Sequence, residues 1–203
     1  MSDEQELSTA EKLQMAFGFI SMDELHYLQE LARSIEQSPA VVLNIGAGPG
    51  TSGVGFAESR PDLILHTCDM SDKSNPHGCL ESERDWMKRA GQDSRFGTSW
   101  FQHHYKSEDF AKLWPTVTGF LTIDLLFIDG NHTYEGCAAD IYGFFPYVRM
   151  GGLIAVHDYD KRSLPKYKTE KKDIPGPTLA VNAILPDIAT YYGRRDSIVV
   201  YMK

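Results

Sequence analysis

The pattern of apolar and polar positions along this chain switches repeatedly between two periods. Short apolar runs at 41–45, 63–69, 123–130 and 153–159 read as strands, and a weaker alternation at 98–104 reads as another. The run Ile123-Asp124-Leu125-Leu126-Phe127-Ile128 is apolar almost throughout, as a strand covered on both faces should be. Helical spacing fills the intervals. Residues 7–37 predict one or two amphipathic helices, the second with Leu25, Leu28, Leu31, Ala32 and Ile35 on one face and Asp23-Glu24 in its first turn. Ser38-Pro39 then breaks the helix. Residues 70–97 are polar and turn-rich around one helical piece at 81–89, and a further short helix is expected at 109–114. Beyond 130, Tyr134, Cys137, Ala138, Ile141, Phe144, Phe145 and Val148 share one broad helix face, which Gly151-Gly152 is expected to terminate. A helix at 177–185 leads to strands at 189–192 and 198–202, joined by a turn at 193–196, as an antiparallel hairpin.

Strands alternating with helices specify an α/β fold. The reading is a doubly wound, mostly parallel seven-stranded sheet with a C-terminal antiparallel hairpin. At 203 residues the chain is expected to form a single domain over 1–203, with a helical N-terminal segment at 1–37 and a basic loop at 160–176 as a candidate lid. Ligands in such sheets sit at the carboxyl ends of the strands. Those ends carry 46–50, Asp69, 104–107, 129–132 and 157–159, so most of the unusual polar residues gather at one edge.

Composition narrows the partners. Apolar residues make up 42% and charged residues 24%, and the net charge of −8 disfavours nucleic acid as a partner. The acidic start Met1-Ser2-Asp3-Glu4 is unlike a secretory signal, and no apolar run approaches membrane-spanning length. Cys68, Cys79 and Cys137 are odd in number and lack zinc-site spacing, which fits reduced thiols and a cytoplasmic location.

The first strand empties into Gly46-Ala47-Gly48-Pro49-Gly50 and then into a helix-forming stretch. Glycines let the backbone turn sharply and lie against a ligand, while the helix start offers unpaired N–H groups. A dinucleotide site would place a third glycine at position 51, which is Thr51, so the spacing here is G-x-G-x-G. Asp69 ends the second strand about 20 residues later, where a carboxylate can accept hydrogen bonds from both ribose hydroxyls. Together they point to a nucleoside-containing cofactor.

These residues, with Leu126-Phe127-Ile128-Asp129-Gly130-Asn131-His132-Thr133-Tyr134-Glu135 and Gly151-Gly152-Leu153-Ile154-Ala155-Val156-His157-Asp158-Tyr159, resemble class I S-adenosylmethionine-dependent methyltransferases. The closer likeness is to the small-molecule O-methyltransferase branch that includes macrocin-type sugar methyltransferases, over about residues 36–159. The resemblance implies a Rossmann-like methyltransferase fold and methyl transfer to a hydroxyl of a sugar or other polar acceptor. It implies that Gly46, Gly48 and Gly50 contact the methionine part, Asp69 the ribose, Met70 the adenine face and Ser107 its edge, with Asp129 near the methyl group. Family members usually carry Glu or Asp at the position of Asn44, which here can hydrogen-bond but brings no charge.

Methyl transfer is an in-line displacement that also requires loss of the acceptor's proton. Asp129, His132, His157 and Asp158 are the candidates. Asp129 and Asp158 could hold a divalent cation such as Mg, as metal-dependent relatives do with acids at the same strand ends. Those relatives often have two acids after the fifth strand, where this chain has His157-Asp158. Alternatively His132 or His157 is a general base. His132 could equally cap the following helix, and His157 could merely bond within the sheet end. His26, His66, His77 and His103 read as bystanders. Lys161, Arg162, Lys166, Lys168, Lys171 and Lys172 make the 160–176 loop a solvated face or an attractor of an anionic acceptor. Phe17, Phe19 and Tyr27 are candidate contacts of a homodimer. The rival readings are a catalytically silent cofactor-binding module and an NAD- or flavin-dependent oxidoreductase. The segment after strand four lacks the Pro-Pro signature of amino-directed DNA methyltransferases, and no cysteine follows a proline.

Overall fold

The computed structural model describes residues 6–71, 74, 78–160 and 175–203. The N-terminal segment forms two helices, α1 (Thr9–Phe17) and α2 (Met22–Ser34). Ser8 and Ser21 open them with reciprocal capping boxes, using Glu11 and Glu24 at the third helical position. The alternating part follows as β1 (Val41–Ile45), α3 (Thr51–Ser59), β2 (Ile64–Cys68), α4 (Leu80–Arg89), β3 (Trp100–His103), α5 (Ser107–Thr118), β4 (Ile123–Ile128) and α6 (Tyr134–Phe144). It closes with β5 (Val148–Val156), α7 (Gly176–Ile188), β6 (Thr190–Arg195) and β7 (Ile198–Met202).

One seven-stranded sheet results, in the order β3-β2-β1-β4-β5-β7-β6. The first five strands are parallel, and β7 lies antiparallel between β5 and β6. The order reverses between β1 and β4, which opens a crevice at their carboxyl ends. Two apolar layers cover the sheet. Leu13, Leu25, Leu28, Phe56 and Phe127 belong to one, and Phe110, Trp114, Ile141, Phe144 and Leu185 to the other. The doubly wound, mostly parallel reading and its hairpin are what the structure shows.

Several boundaries differ from the sequence expectation. The helix expected to run to Gly151-Gly152 ends at Phe144, and residues 145–147 form a short 3-10 turn. Pro146 has no N–H to continue the ladder, so the chain turns there and Val148 enters β5 opposite Ile123. Gly151-Gly152 instead lie within that strand, where the register shifts between Ile123 and Leu125 and Gly151 has φ +74°. In the hairpin, β6 continues through Gly193 to Arg195 by a similar shift, and the turn is made at Asp196 (φ +49°). Tyr27 is buried, with the Arg195 guanidinium 4.7 Å above its ring. Phe17 and Phe19 are exposed. His66 and His103 are not idle. Their rings stack in the buried layer with Nδ1 and Nε2 2.9 Å apart, and burial pushes their pKa values down to about 3 and about 4. The loop expected as a lid at 160–176 lies outside the described residues over 161–174. Cys68, Cys79 and Cys137 are buried free thiols, and among the described residues no helix is long and apolar enough to cross a membrane.

Glu83 of α4 braces the sheet edge beneath the glycine loop. Its carboxyl accepts from Thr67 Oγ1 (2.9 Å) and Gln102 Nε2 (2.7 Å) and is wholly buried. A Cβ at Gly50 would lie 2.8 Å from the Glu83 Cα, so only glycine there lets α4 come this close. Burial pushes the Glu83 carboxyl up to about 7, against the two hydrogen bonds that favour its anion. A carboxyl raised above its unfolded value contributes stability below about pH 4.5 that is lost as pH climbs through 7. Glu83→Gln keeps the shape and cannot ionise. Its stability relative to the parent protein should rise between pH 5 and pH 8 by on the order of 2 kcal/mol. Urea unfolding midpoints at the two pH values measure this, and a constant gap would contradict it.

Candidate active site

The carboxyl ends of the parallel strands continue their pairing past the last strand residues. Gly46 N–H donates to the Cys68 carbonyl (2.9 Å), Asp129 N–H to Ile45 (2.9 Å), His157 N–H to Ile128 (3.0 Å) and Asp69 N–H to His103 (3.1 Å). Backbone bonds therefore fix four site residues in one row before any side chain acts. A cavity of about 930 Å³ opens above that row.

The glycine loop forms its floor. Gly46 has φ +93°, and a Cβ there would lie 2.8 Å from the Asp129 carbonyl carbon, so the first glycine is needed both for the turn and for contact with the β4 end. Asp69 stands at the side. Its Oδ2 accepts from Ala47 N–H at 2.8 Å and its Oδ1 from Ser71 N–H at 2.7 Å. Each oxygen keeps a further lone pair for a ligand hydroxyl. Met70 and Ser107 line the cavity with Gly46, Gly48, Asp69, Asp129, His132 and His157. Met70 is 55% exposed and so is no core residue.

Asn44 and Gly50 do not line the cavity. Asn44 is fully buried in β1 beneath the loop and accepts from Ser52 Oγ at 3.3 Å, while its Nδ2 finds no partner. Gly50 caps the start of α3 at φ +109°. Both shape the loop from behind.

Opposite the glycines stands an interleaved cluster of acids and imidazoles. His157 Nδ1 lies 2.8 Å from Asp129 Oδ1 and 3.0 Å from Asp158 Oδ1. His132 spans the same two acids, with Nδ1 2.9 Å from Asp158 Oδ2 and Nε2 3.4 Å from Asp129 Oδ1. His157 is buried while the His132 side chain is half exposed at the cavity mouth. Asp158 holds its place with φ +62°, a left-handed conformation that Asp tolerates better than most side chains. His132 does not cap α6. Thr133 does so through Gly136 N–H at 3.1 Å, and Gly176 of α7 packs directly on the 132–134 backbone.

The charges set one another. Hydrogen bonds donated to Asp129 and Asp158 push the His132 pKa up to about 9. Burial opposes charge on His157, and the field of Asp129 with its hydrogen bonds overrides that, raising the pKa well above the usual imidazole value. Burial likewise opposes the Asp129 anion, yet His157 and His132 hold its pKa below the ordinary carboxylate range. Asp129, His157 and Asp158 offer ligand atoms that all lie within 4.8 Å of one another, a donor set that fits a cation.

Sequence reasoning passed over two acids that the fold brings here. Glu24 of α2 approaches His157 from behind, with Oε2 3.5 Å from Nε2. Asp140 of α6 is buried beneath Gly130, and burial pushes its carboxyl up to about 6. Glu24 carried only the signal of a helix cap. Asp140 was the lone acid on an otherwise apolar helix face, which is a readable sign of a buried polar role.

Residues 43–159 match the family model described as "Methyltransferase domain". The uncharacterized protein R132 of Acanthamoeba polyphaga mimivirus is 25% identical over 193 residues, spanning 93% of this chain and 80% of its own. The O-methyltransferase from Bacillus cereus, solved with SAH (S-adenosylhomocysteine), superposes with a TM-score of 0.68 at 16% identity, over 100% of this chain and 94% of that one. TomG, an O-methyltransferase from Streptomyces achromogenes solved with SAM (S-adenosylmethionine), gives 0.66 at 18% identity, over 98% and 90% of the two chains. At these identities the structural likeness speaks for the fold.

Proposed function

We propose that this chain, which belongs to the methyltransferase-domain family, is an S-adenosylmethionine-dependent enzyme that delivers the methyl group to a hydroxyl oxygen of a small polar acceptor. One observation carries the reading: the glycine loop, Asp69 and the Asp129–His132–His157 group face one cavity from adjoining strand ends. The loop floor receives the methionine part, and Asp69 receives the ribose hydroxyls while bracing Ala47. Asp129 stands where the methyl group and the acceptor oxygen must meet.

Loss of the acceptor's proton falls to the cavity side of the cluster. His132 is exposed enough to reach an acceptor, whereas buried His157 holds Asp129 and Asp158 in position. A divalent cation held by Asp129, Asp158 and His157 would polarise the acceptor hydroxyl and lower its pKa. His132 bridges the same two carboxylates, so a cation held there would free its ring to accept a proton. An anionic acceptor is supported by the lysines of the 160–176 loop.

The test is transfer of label from methyl-tritiated SAM to a panel of sugars, nucleotide sugars and phenols. Label is expected in the O-methyl group of one polyhydroxy class. His132→Ala should lower that turnover about 100-fold while SAH affinity stays within twofold. Full turnover in His132→Ala would remove the histidine from proton transfer. Binding of SAH with no transfer to any acceptor would favour a silent binding module.

A further inference from the structure

Glu24 lies outside the residues that match the family model, in the second N-terminal helix, yet it ends against the most buried group of the site. Its carboxylate is only 1% exposed and is already surrounded by donors. Oε2 accepts from Ser21 N–H at 2.6 Å, and Oε1 accepts from Ser197 N–H at 2.9 Å and from the Ser197 hydroxyl. Three donors from two residues thus hold it as an anion that can only accept. Oε2 is the nearest charge to His157 Nε2, at 3.5 Å and beyond a close hydrogen bond, and a carboxylate there favours a hydrogen on Nε2 over a lone pair.

That preference has a consequence on the other side of the ring. With the hydrogen kept on Nε2, a ring that gives up its second proton turns a lone pair at Nδ1 toward Asp129 Oδ1 at 2.8 Å and Asp158 Oδ1 at 3.0 Å. Three acceptors then face one point, which must hold either a second proton or a cation. The spacings of 2.8 and 3.0 Å suit two donors bound side by side to one ion with bonds of about 2.1 Å. Three carboxylates around one imidazole also leave the cluster negative. A carboxylate behind the distal nitrogen is the usual way a protein orients a ligating histidine and raises its basicity.

We propose that Glu24 is a positioning residue that commits His157 to act as a nitrogen ligand through Nδ1, so that the site selects a divalent transition-metal cation over Mg2+. The hard ion Mg2+ favours oxygen donors, while imidazole suits Zn2+, Co2+ and their neighbours. The proposal rests on Asp129 and Asp158 being the cation-holding pair of the methyltransferase site. The cation enters from the cavity, which Asp129 and His157 both line.

The test uses Co2+ and Mg2+ as probes on the full chain, with binding followed by calorimetry and by the visible absorption of Co2+. The parent protein should bind Co2+ at least 100-fold more tightly than Mg2+, with a spectrum showing nitrogen ligation. Glu24→Gln keeps the acceptor for Ser197 but turns an amide donor toward Nε2 and Ser21 N–H, so Co2+ affinity should fall at least tenfold. His157→Glu should reverse the preference toward Mg2+ and carries the test if Glu24→Gln does not fold. A parent protein that binds Co2+ no better than Mg2+ overturns the proposal, as does Co2+ binding unchanged in both variants. SAH affinity measured on the same samples reports the methyltransferase reading separately. Loss of cation selectivity with SAH binding intact rejects only the role given to Glu24 and His157.

Discussion

Gly46→Ala is expected to abolish measurable SAH binding and to lower the melting temperature by about 10 °C. Two costs coincide at this position. The backbone sits at φ +93°, where an L side chain is strained by about 1–2 kcal/mol. The added methyl group would also press into the Asp129 carbonyl, which is itself fixed to β4 by the sheet bonds on either side. The loop can escape only by lifting from the strand end, which moves it into the space the methionine part must occupy. A total near 3 kcal/mol is a large share of the stability of a single domain. Differential scanning fluorimetry and SAH titration check both halves. A variant that melts normally and binds normally would show that contact between the β1 turn and the β4 end is dispensable.

Asp69→Ala is expected to weaken SAH binding about 100-fold, with a melting temperature only a few degrees lower. Each hydrogen bond to an ionised carboxylate contributes about 1.5–3 kcal/mol, and two ribose hydroxyls would be lost. The same change releases Ala47 N–H and Ser71 N–H, which Asp69 holds at 2.8 and 2.7 Å, so the glycine loop loses its brace as well. Asp69→Asn retains one acceptor oxygen and should fall between the two. Isothermal titration resolves the series, and equal affinity across it would remove Asp69 from the cofactor site.

The parts of this protein that could be read in its sequence are those set by local pattern. β4 was legible because six consecutive buried residues leave few alternatives to a central parallel strand. The β1–glycine–α3 unit was legible because the turn demands residue types that nothing else explains. The end of α6 was misjudged because Phe145 and Val148 keep helical spacing, while Pro146 decides the matter by lacking a donor. Gly151-Gly152 looked like a terminator and instead absorbs a register shift inside β5. Tyr27 looked like surface because its partner, Arg195, comes from the far end of the chain.

The site divides in the same way. Asp129, His132, His157 and Asp158 were visible as chemistry at strand ends, since topology alone brings those ends together. Their pairing was not visible, because one φ of +62° at Asp158 decides which carboxylate oxygen meets which imidazole. Glu24 reads from the sequence only as an acid in a helix's first turn, and there it closes the capping box with Ser21. Its second role exists only because α2 packs beside the hairpin that carries Ser197, a contact between opposite ends of the chain. Asn44, singled out as a departure within the glycine run, lies beneath the loop and out of the cavity. It therefore acts on the cofactor only through the loop it supports.

The most direct measurement is calorimetric titration of the purified chain with SAH and, separately, with NADH. One-to-one binding of SAH, with no heat from NADH, is the expected result for a cavity floored by this glycine loop and flanked by Asp69. Saturable NADH binding with no response to SAH would contradict it.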